Sequence, residues 1–225
     1  MRAALSVIIP TLDAGQGLPA CLGALVEGLE AGVIRELIVS DGGSGDATLR
    51  IADAAGAIIV QCAPSRGGQL RRGAQVAGGD WLLFLHADTV LPPGWPKAVQ
   101  AQIAKGGPAA FRLGFDTSGP MPALVAGWAN LRSRLFGLPY GDQGLLIARA
   151  DYEAAGGFQD IPLMEDVAMA RALKGRITLL PLTVTTSSAR YRRDGWLRRG
   201  TRNLLTLIRY LCGMDPKRLA KAYRR

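Results

Sequence analysis

The sequence has few cysteines, a single histidine and no long apolar run. Its three cysteines, Cys21, Cys62 and Cys212, lie far apart and form no Cys-x-x-Cys pair. This spacing argues against a disulfide framework and a cysteine zinc site, and it is typical of a reducing compartment, so we expect a cytoplasmic protein. No apolar run approaches the ~18 residues that a membrane-spanning helix needs. The first ten residues favour a strand over a signal peptide, because a small-residue cleavage site is missing.

The basic excess of the chain is concentrated at one end. The net charge is +9, and 48% of the 225 residues are apolar, which is ordinary for a globular protein. Residues 1–105 hold 8 basic and 9 acidic side chains, residues 106–189 hold 7 of each, and residues 190–225 hold 12 and 2. The last segment therefore carries a net +10. Such a local block indicates an acidic partner, for which an anionic membrane surface is one candidate, and we expect no nucleic acid.

Strands and helices alternate along the first half of the chain. We predict strands over 6–10, 36–40, 57–60 and 81–86, and helices near 17–31, from Asp46 as N-cap to Asp53, near 69–77 and near 95–105. Further strands are predicted over 111–115, 145–149 and 176–180, and helices over 122–136, 164–173, 197–212 and after Asp215-Pro216. This order predicts an α/β fold with a mostly parallel, Rossmann-like sheet flanked by helices, followed by C-terminal amphipathic helices. No internal repeat or low-complexity segment is present.

Three of the apolar strands end on polar residues. The first runs into Pro10-Thr11, the second into Ser40-Asp41-Gly42-Gly43, and the fourth into His86-Ala87-Asp88. Ligands bind beyond the carboxyl ends of parallel strands, so these tips should gather at one edge of the sheet. Two carboxylates beside glycines at that edge favour a metal-bound phosphate compound, because Mg²⁺ and Mn²⁺ prefer carboxylate oxygen. The alternatives are that Asp41 bonds its own turn and that Asp88 caps the turn at Pro92-Pro93.

Two further segments carry candidate chemistry. Arg66-Gly67-Gly68-Gln69 could offer a cation and backbone amides to a diphosphate at a helix start, or it is a solvated loop. Glu165-Asp166 opens a predicted helix, where acidic residues are favourable partners of the helix dipole. The functional alternative is that this pair supplies a general base within reach of a hydroxyl.

Taken together, four of these motifs resemble the ordered signature of family 2 glycosyltransferases with the GT-A fold. They span residues 5 to about 190 and are Val7-Ile8-Ile9-Pro10-Thr11-Leu12-Asp13, Ile38-Val39-Ser40-Asp41-Gly42-Gly43-Ser44-Gly45-Asp46, Phe84-Leu85-His86-Ala87-Asp88 and Met164-Glu165-Asp166. Each is weak alone, but four in this order at fitting distances are specific. The resemblance implies inverting transfer of a sugar from a nucleotide-diphosphate sugar to a hydroxyl-bearing acceptor.

The resemblance, together with the residue arguments above, gives each candidate residue an expected role. The donor would be held by Pro10, Thr11, Asp13, Asp41, Arg66, Gln69, His86, Ala87 and Asp88. Asp88 would be the ligand of a divalent cation, Mn²⁺ or Mg²⁺, and Asp166 the catalytic base. Gly141, Asp142, Gln143 and Glu165 would lie on the acceptor side. Residues 1–105 would form the donor half of one catalytic domain, residues 106–189 its acceptor half, and residues 190–225 a basic helical extension.

Three departures from the family pattern shape this interpretation. His86 stands at the first position of the Asp-x-Asp motif, and Asp13 stands where glutamate is common. The Gln-x-x-Arg-Trp motif of processive synthases is not seen, and residues 188–193 occupy that region, where their arginines could bind phosphate.

Two related activities remain as alternatives. A sugar-phosphate nucleotidylyltransferase would need a basic Gly-rich loop after the first strand, and residues 10–17 contain no lysine or arginine. A non-catalytic nucleotide-sugar-binding relative also remains, because His86 replaces a carboxylate. A Rossmann dehydrogenase is excluded, since no Gly-x-Gly-x-x-Gly follows the first strand.

The predicted helix over 197–212 leaves two interpretations open. It has leucines and isoleucine on one side and arginines off that side. The apolar side docks on the core of the protein, with Leu204, Leu205 and Ile208 completing it, or it lies on an anionic membrane. The second interpretation would bring the active site to a lipid-linked acceptor and place the protein at the inner face of the membrane.

Overall fold

The structure is a computed structural model that describes residues 3–223, and it contains one eight-stranded sheet between helices. The strands are β1 (Leu5–Thr11), β2 (Ile34–Asp41), β3 (Ile58–Gln61), β4 (Trp81–Phe84), β5 (Thr89–Val90), β6 (Ala109–Phe115), β7 (Leu145–Ala148) and β8 (Thr178–Thr186). The order across the sheet is β3-β2-β1-β4-β7-β6-β8-β5. Only β7 and β5 run against their neighbours, which confirms the mostly parallel α/β fold. Met1, Arg2, Arg224 and Arg225, which belong to the predicted end segments, lie outside the described residues.

Ten α-helices surround the sheet within residues 3–223. They are α1 (Leu18–Glu30), α2 (Thr48–Ala54), α3 (Arg66–Val76), α4 (Trp95–Lys105), α5 (Pro120–Phe136), α6 (Arg149–Ala154), α7 (Glu165–Ala172), α8 (Ala189–Asp194), α9 (Trp196–Leu211) and α10 (Pro216–Tyr223). A single 3-10 turn at Gly141–Gln143 precedes β7. No helix in this part of the chain is both long and apolar enough to cross a bilayer.

The core has two halves because successive residues of β1 point to opposite faces of the sheet. Val7 and Ile9 pack with helices α1 and α4 on one face, where Trp95 is the largest fully buried side chain. Ile8 packs with α3 and α7 on the other face. The central strands are buried on both faces, which is why they appear in the sequence as continuous apolar runs.

Most predicted elements are confirmed, and the exceptions have local causes. Helix α3 begins at Arg66 and not near 69, because Ser65 is its N-cap and its hydroxyl accepts a hydrogen bond from the N–H of Gly68. Helix α2 begins at Thr48 with Ala47 as N-cap, so the prediction of Asp46 was wrong, although Asp46 still accepts a hydrogen bond from the Thr48 N–H. Strand β8 is longer than predicted, and β5, α6 and α8 were not predicted.

The apolar sides of α5 and α9 are exposed to solvent. The prediction that Leu204, Leu205 and Ile208 complete a core is wrong, since all three are exposed. Helix α9 buries only Thr206 and Leu207, on its other side. The sequence period predicted which residues share a side of the helix, but the structure leaves that side uncovered.

Candidate active site

The ends of β1 and β2 are joined by a dense network of hydrogen bonds centred on Asp41. Its carboxylate accepts bonds from the Thr11 hydroxyl (2.7 Å), from the Ser44 hydroxyl, and from the backbone N–H groups of Gly43 and Ser44 (2.8 Å each). Burial would raise the pKa of Asp41, but these hydrogen bonds outweigh it and hold the pKa below its usual value. A carboxylate has about four acceptor positions. All are used here, so Asp41 organises the turn that follows β2.

Gln69 and Asp13 extend this network to the neighbouring loops. The buried side-chain amide of Gln69 donates to the carbonyl oxygens of Thr11 (2.7 Å) and Ser40 (2.8 Å), which locks α3 to the two strand ends. Asp13 lies in the left-handed region at φ 49°, and its carboxylate accepts a bond from the Gly45 N–H at 2.9 Å. The loops after β1 and β2 are thereby held together, with the Asp13 side chain exposed at their surface.

An open cavity lies beside the ends of β4 and β8. It brings together seven of the residues predicted from the sequence, namely Arg66, His86, Asp88, Gly141, Asp142, Glu165 and Asp166. The remaining predicted residues, Pro10, Thr11, Asp13, Asp41, Gln69, Ala87 and Gln143, do not line it. The cavity thus collects the predicted acid–base and metal-binding side chains, while the predicted nucleoside contacts lie along the adjoining edge.

Asp166 is held in the cavity by backbone donors. Its carboxylate accepts a hydrogen bond from the Gly141 N–H (2.8 Å) and one from the N–H of Val167 (2.7 Å). Met164 precedes α7 with a φ of 68°, a left-handed conformation that is unfavourable for a residue with a Cβ. This bend aims the first turn of α7, and with it Glu165 and Asp166, into the cavity.

Glu165 is buried and faces Arg66, whose side chain is 41% exposed. The closest approach is 3.5 Å, between Glu165 Oε1 and Arg66 Nη1, so the contact is a loose ion pair. Burial, followed by the neighbouring charge of Asp166, raises the pKa of Glu165, whereas Arg66 lowers it. Burial outweighs the ion pair, so the pKa of Glu165 lies above its usual value.

Asp142 is the second carboxylate of the cavity whose pKa is raised by burial. Its Oδ1 is buried without a hydrogen-bond partner within the described residues. Burial, with Asp166 and Asp88 adding to it against the opposing effect of Arg132, raises the pKa of Asp142 to about 6. A buried carboxylate oxygen without a donor is a group that suits a hard cation.

The residues present provide only part of a metal site. Between Ala3 and Tyr223, no three His, Cys, Asp or Glu side chains come together as a ligand cluster. Mg²⁺ sites commonly use one or two carboxylates and complete their coordination with substrate phosphates and water. Asp88 therefore fits a divalent cation that arrives with a diphosphate, and the chain alone does not supply a full set of ligands.

His86 packs against the backbone of Gly141, where any side chain would overlap its Nε2. Burial lowers the pKa of His86 well below its usual value, and the charges of Arg66 and Arg190 lower it further. The imidazole is consequently neutral at pH 7. A neutral imidazole at the first position of the Asp-x-Asp motif cannot supply the negative charge that an aspartate would carry there.

Gln143 has an internal role in the structure. Its side-chain amide donates to the carbonyl oxygen of Phe111 (3.0 Å), and its carbonyl oxygen accepts from the Ser133 hydroxyl (2.7 Å). Ala87 is likewise buried and packs in the core. Both residues shape the turns that carry their neighbours, Asp142 and Asp88.

The sequence predicted that arginines within residues 188–193 could bind phosphate, but it did not predict the rest of the wall that the C-terminal helices contribute. Arg190, Tyr191, Arg199, Asn203 and Tyr223 all line the cavity. Tyr191 and Trp196 stack with ring centres 4.8 Å apart, and each packs edge-on against Phe115 at the end of β6. The only sequence signal for this wall is the density of arginine and aromatic residues after residue 188.

A second chain of contacts fixes the position of Arg199. It forms an ion pair with Asp194 at 2.8 Å and a hydrogen bond to the Tyr223 hydroxyl at 3.3 Å. Tyr223 in turn donates to Asn203, and Asn203 donates to the Tyr191 hydroxyl. The three C-terminal helices are thus tied to one another around the cavity.

Comparison with known proteins identifies the sequence pattern. The family described as glycosyl transferase family 2 matches residues 6–126, more than half of the chain. A glycosyltransferase of PGL/p-HBAD biosynthesis from Mycobacterium bovis (strain BCG) is 39% identical over 93 residues. That match covers 38% of this chain and 36% of the relative, so the chain spans only about a third of the length of the curated relatives it matches.

Solved structures of glycosyltransferases share the fold. S. aureus TarS 1–349 in complex with UDP superimposes with a TM-score of 0.64 at 16% identity, covering 96% of this chain and 68% of TarS. The Mycobacterium tuberculosis glucosyl-3-phosphoglycerate synthase in complex with Mn²⁺ and UDP-glucose gives a TM-score of 0.62 at 20% identity, covering 94% and 79%. These similarities confirm the GT-A-type fold that the sequence predicts.

Proposed function

Since the chain belongs to glycosyl transferase family 2, we propose that it is an inverting glycosyltransferase that moves a sugar from a nucleotide-diphosphate sugar to an acceptor hydroxyl. The observation that carries this proposal is the cavity in which Asp166, Asp88 and three arginines meet. A family 2 fold with this set of side chains supplies both a proton acceptor and positive charge for a leaving diphosphate.

Asp166 is the proposed base. Its two backbone hydrogen bonds orient the carboxylate and leave acceptor capacity directed into the cavity. The acceptor oxygen attacks the anomeric carbon as the bond from that carbon to the diphosphate oxygen breaks, and the hydroxyl proton passes to Asp166. Attack from the face opposite the leaving group inverts the configuration at that carbon.

Arg66, Arg190 and Arg199 are the proposed partners of the diphosphate. Arg190 is exposed at the cavity and forms no ion pair within residues 3–223, so it is available to a ligand. Guanidinium groups suit phosphate because they donate parallel hydrogen bonds. Asp88 would hold the divalent cation, Mn²⁺ or Mg²⁺, which when bound neutralises negative charge on the leaving diphosphate.

The donor is proposed to be a uridine diphosphate sugar, because the solved relatives are described with UDP or UDP-glucose. Its nucleoside would lie along the edge formed by Pro10, Thr11, Asp13 and Asp41, beside the cavity. Asp41 would act there by holding the turn after β2, because its carboxylate is already filled by four hydrogen bonds. Gly141, Asp142 and Glu165 would face the acceptor. The division into a donor half (1–105), an acceptor half (106–189) and a basic extension (190–225) and the cytoplasmic location remain predictions.

A donor panel tests the proposed function. UDP-glucose, UDP-N-acetylglucosamine and unmodified UDP are each added with Mn²⁺, and the shift in melting temperature and the release of UDP are measured. One donor should stabilise the protein and release UDP when an acceptor is present, and EDTA should abolish the release. Stabilisation without release with any acceptor would favour a non-catalytic relative. Pyrophosphate formation from a nucleoside triphosphate and a sugar phosphate would favour a nucleotidylyltransferase.

A further inference from the structure

Helix α5 presents an apolar strip to solvent. Leu124, Trp128, Leu131 and Leu135 follow one another at spacings of four, three and four, and all are exposed, up to 63% at Leu135. Its other side carries the buried residues Ala129 and Ser133. The strip is therefore extra apolar surface on a helix that is already packed on the sheet.

Helix α9 presents a second strip of the same kind. Leu197, Leu204, Leu205, Ile208 and Leu211 are all exposed, up to 67% at Leu197. Scattered exposed leucines need no explanation, but a continuous strip on a helix indicates a binding surface.

The two strips border the same helix–helix contact. Val125 lies beside Gly200 where α5 meets α9, and there a Cβ on Gly200 would be 4.0 Å from Val125 Cγ2. Trp128 is one turn from Val125, and Leu197 and Leu204 are each one turn from Gly200. With helices ~10 Å wide and strips ~15–20 Å long, the pair presents roughly 300–400 Å² of apolar surface. We name these two strips together the α5–α9 surface.

Arginines line one flank of the α5–α9 surface. Arg198 and Arg209 are exposed on α9 next to its apolar strip, and neither forms an ion pair within residues 3–223. Lys217, Arg218 and Lys221 on the adjoining helix α10 are also exposed. Apolar residues flanked by unpaired basic residues are typical of helices that lie in the interface of an anionic membrane.

We propose that the α5–α9 surface docks the protein on an anionic phospholipid bilayer. Charge selects this occupant, because a second copy of the chain would bring the same arginines against one another, whereas anionic headgroups complement them. The opposite side of α9 supplies Arg199 and Asn203 to the cavity. Docking would therefore hold the proposed active site within one helix diameter of the lipid, where it meets an acceptor carried by the membrane.

Vesicle binding tests this proposal and does not depend on transfer activity. The full chain is sedimented with vesicles of phosphatidylcholine alone and of phosphatidylcholine with phosphatidylglycerol. We expect binding to the anionic vesicles only, loss of binding as salt rises, and a blue shift of tryptophan emission that Trp128→Phe removes. A lack of binding to anionic vesicles even at low salt would overturn the proposal.

Matched variants separate the two components of the surface. Leu204→Glu with Ile208→Glu should abolish binding, while Val26→Glu with Leu29→Glu, at exposed positions on α1, should not. Arg198→Gln with Arg209→Gln should weaken binding about tenfold or more, while Arg50→Gln with Arg112→Gln should leave it unchanged. Equal binding by all four variants would contradict the assignment.

Self-association is the competing outcome. Sedimentation velocity without lipid should show a monomer at micromolar concentration. A dimer that Leu204→Glu with Ile208→Glu dissolves would assign the surface to a second copy of the chain and overturn the proposal. UDP release with a soluble acceptor should persist in every variant, so a failure of docking remains distinct from a failure of the proposed chemistry.

Discussion

At the scale of single residues, the proposed chemistry depends on Asp166. Asp166→Asn keeps the size of the side chain and can keep the hydrogen bonds from Gly141 and Val167 to its remaining oxygen. It removes the basicity, so kcat should fall by roughly 10²–10⁴-fold, the usual contribution of a positioned base. Donor affinity, measured by calorimetry, should stay within a factor of about two, since no bond to the donor is lost.

Asp151→Asn is the matched control for Asp166→Asn. Asp151 also lies in the first turn of a short helix, α6, but it does not line the cavity. Its replacement should leave kcat unchanged. If Asp166→Asn retains wild-type kcat as well, Asp166 serves only as a favourable charge at the start of α7.

Asp142 should make the stability of the protein depend on pH. Its pKa is about 6 in the folded protein against 3.8 in the unfolded chain, because the folded state buries the carboxylate. Between these values the folded state binds more protons, so the free energy of unfolding falls as pH rises from about 4 to 6. The cost at pH 7 is at most on the order of 2–3 kcal/mol. Asp142→Asn should therefore raise the free energy of unfolding by this amount at pH 7 and leave it unchanged at pH 4.

Urea unfolding without donor or metal, at pH 4 to 8, measures the effect of Asp142→Asn. The control is Asp53→Asn, at an exposed position on α2, which should show no gain that grows with pH. A gain of equal size at pH 4 and pH 7 would show that the charge of Asp142 is not its cause.

At the scale of elements, the start of α3 packs directly on the loop before α7 and on Glu165, the first residue of α7. A Cβ on Gly67 would overlap the carbonyl oxygen of Gln159 and lie 3.1 Å from the Cβ of Glu165. Alanine in a helix is otherwise favoured over glycine by about 1 kcal/mol, but backbone overlap outweighs this gain. Gly67→Ala should therefore lower the melting temperature and reduce kcat, because the loop must move.

Gly23→Ala is the opposite case. Gly23 lies in α1, and a Cβ there would meet nothing within 4 Å. Its replacement should raise stability by about 0.5–1 kcal/mol and leave kcat unchanged. Thermal unfolding and initial rates measure both variants. If Gly67→Ala also stabilises the protein, the loop adapts without cost and α3 does not position it.

The same scale shows what the sequence could predict. Strands β1, β2 and β4 were predictable because strands covered on both faces require continuous apolar residues. The start of α3 was available as well, since Ser65 is a preferred N-cap residue. The spacing of leucines also showed which residues form the apolar side of α5 and of α9. The sequence did not show whether another element covers that apolar side, because this depends on contacts between residues far apart in sequence.

The candidate site likewise has a part that the sequence predicts and a part that depends on tertiary contacts. Motif order predicted seven residues that the cavity brings together, since strand ends and helix starts converge at one edge of a parallel sheet. The four hydrogen bonds that fill the carboxylate of Asp41 were not predictable as a set. Neither was the wall formed by Tyr191, Arg199 and Tyr223, because it requires three helices to fold back on β6.

At the scale of the whole molecule, stability should be uneven. Strand β1 buries Leu5, Val7, Ile8 and Ile9 completely. By contrast, α8 has no buried residue, and α9 and α10 have two each. Segments with few buried apolar groups open locally before the protein unfolds globally. The C-terminal helices are held by the aromatic contacts of Phe115, Tyr191 and Trp196, by the ion pair of Arg199, and by the packing of Leu207 on Met164 and Val167.

Hydrogen exchange followed by mass spectrometry should therefore show faster exchange in α8, α9 and α10 than in β1 and β2. Trp196→Ala removes two ring contacts and should speed exchange in these helices while β1 stays protected. Phe136→Ala, at an exposed aromatic residue outside the cluster, is the control and should change neither. Uniform protection across α9 and β1, unaltered by Trp196→Ala, would show that the C-terminal wall is part of the core. Faster exchange confined to the helices would show that the wall opens locally while the central strands stay closed.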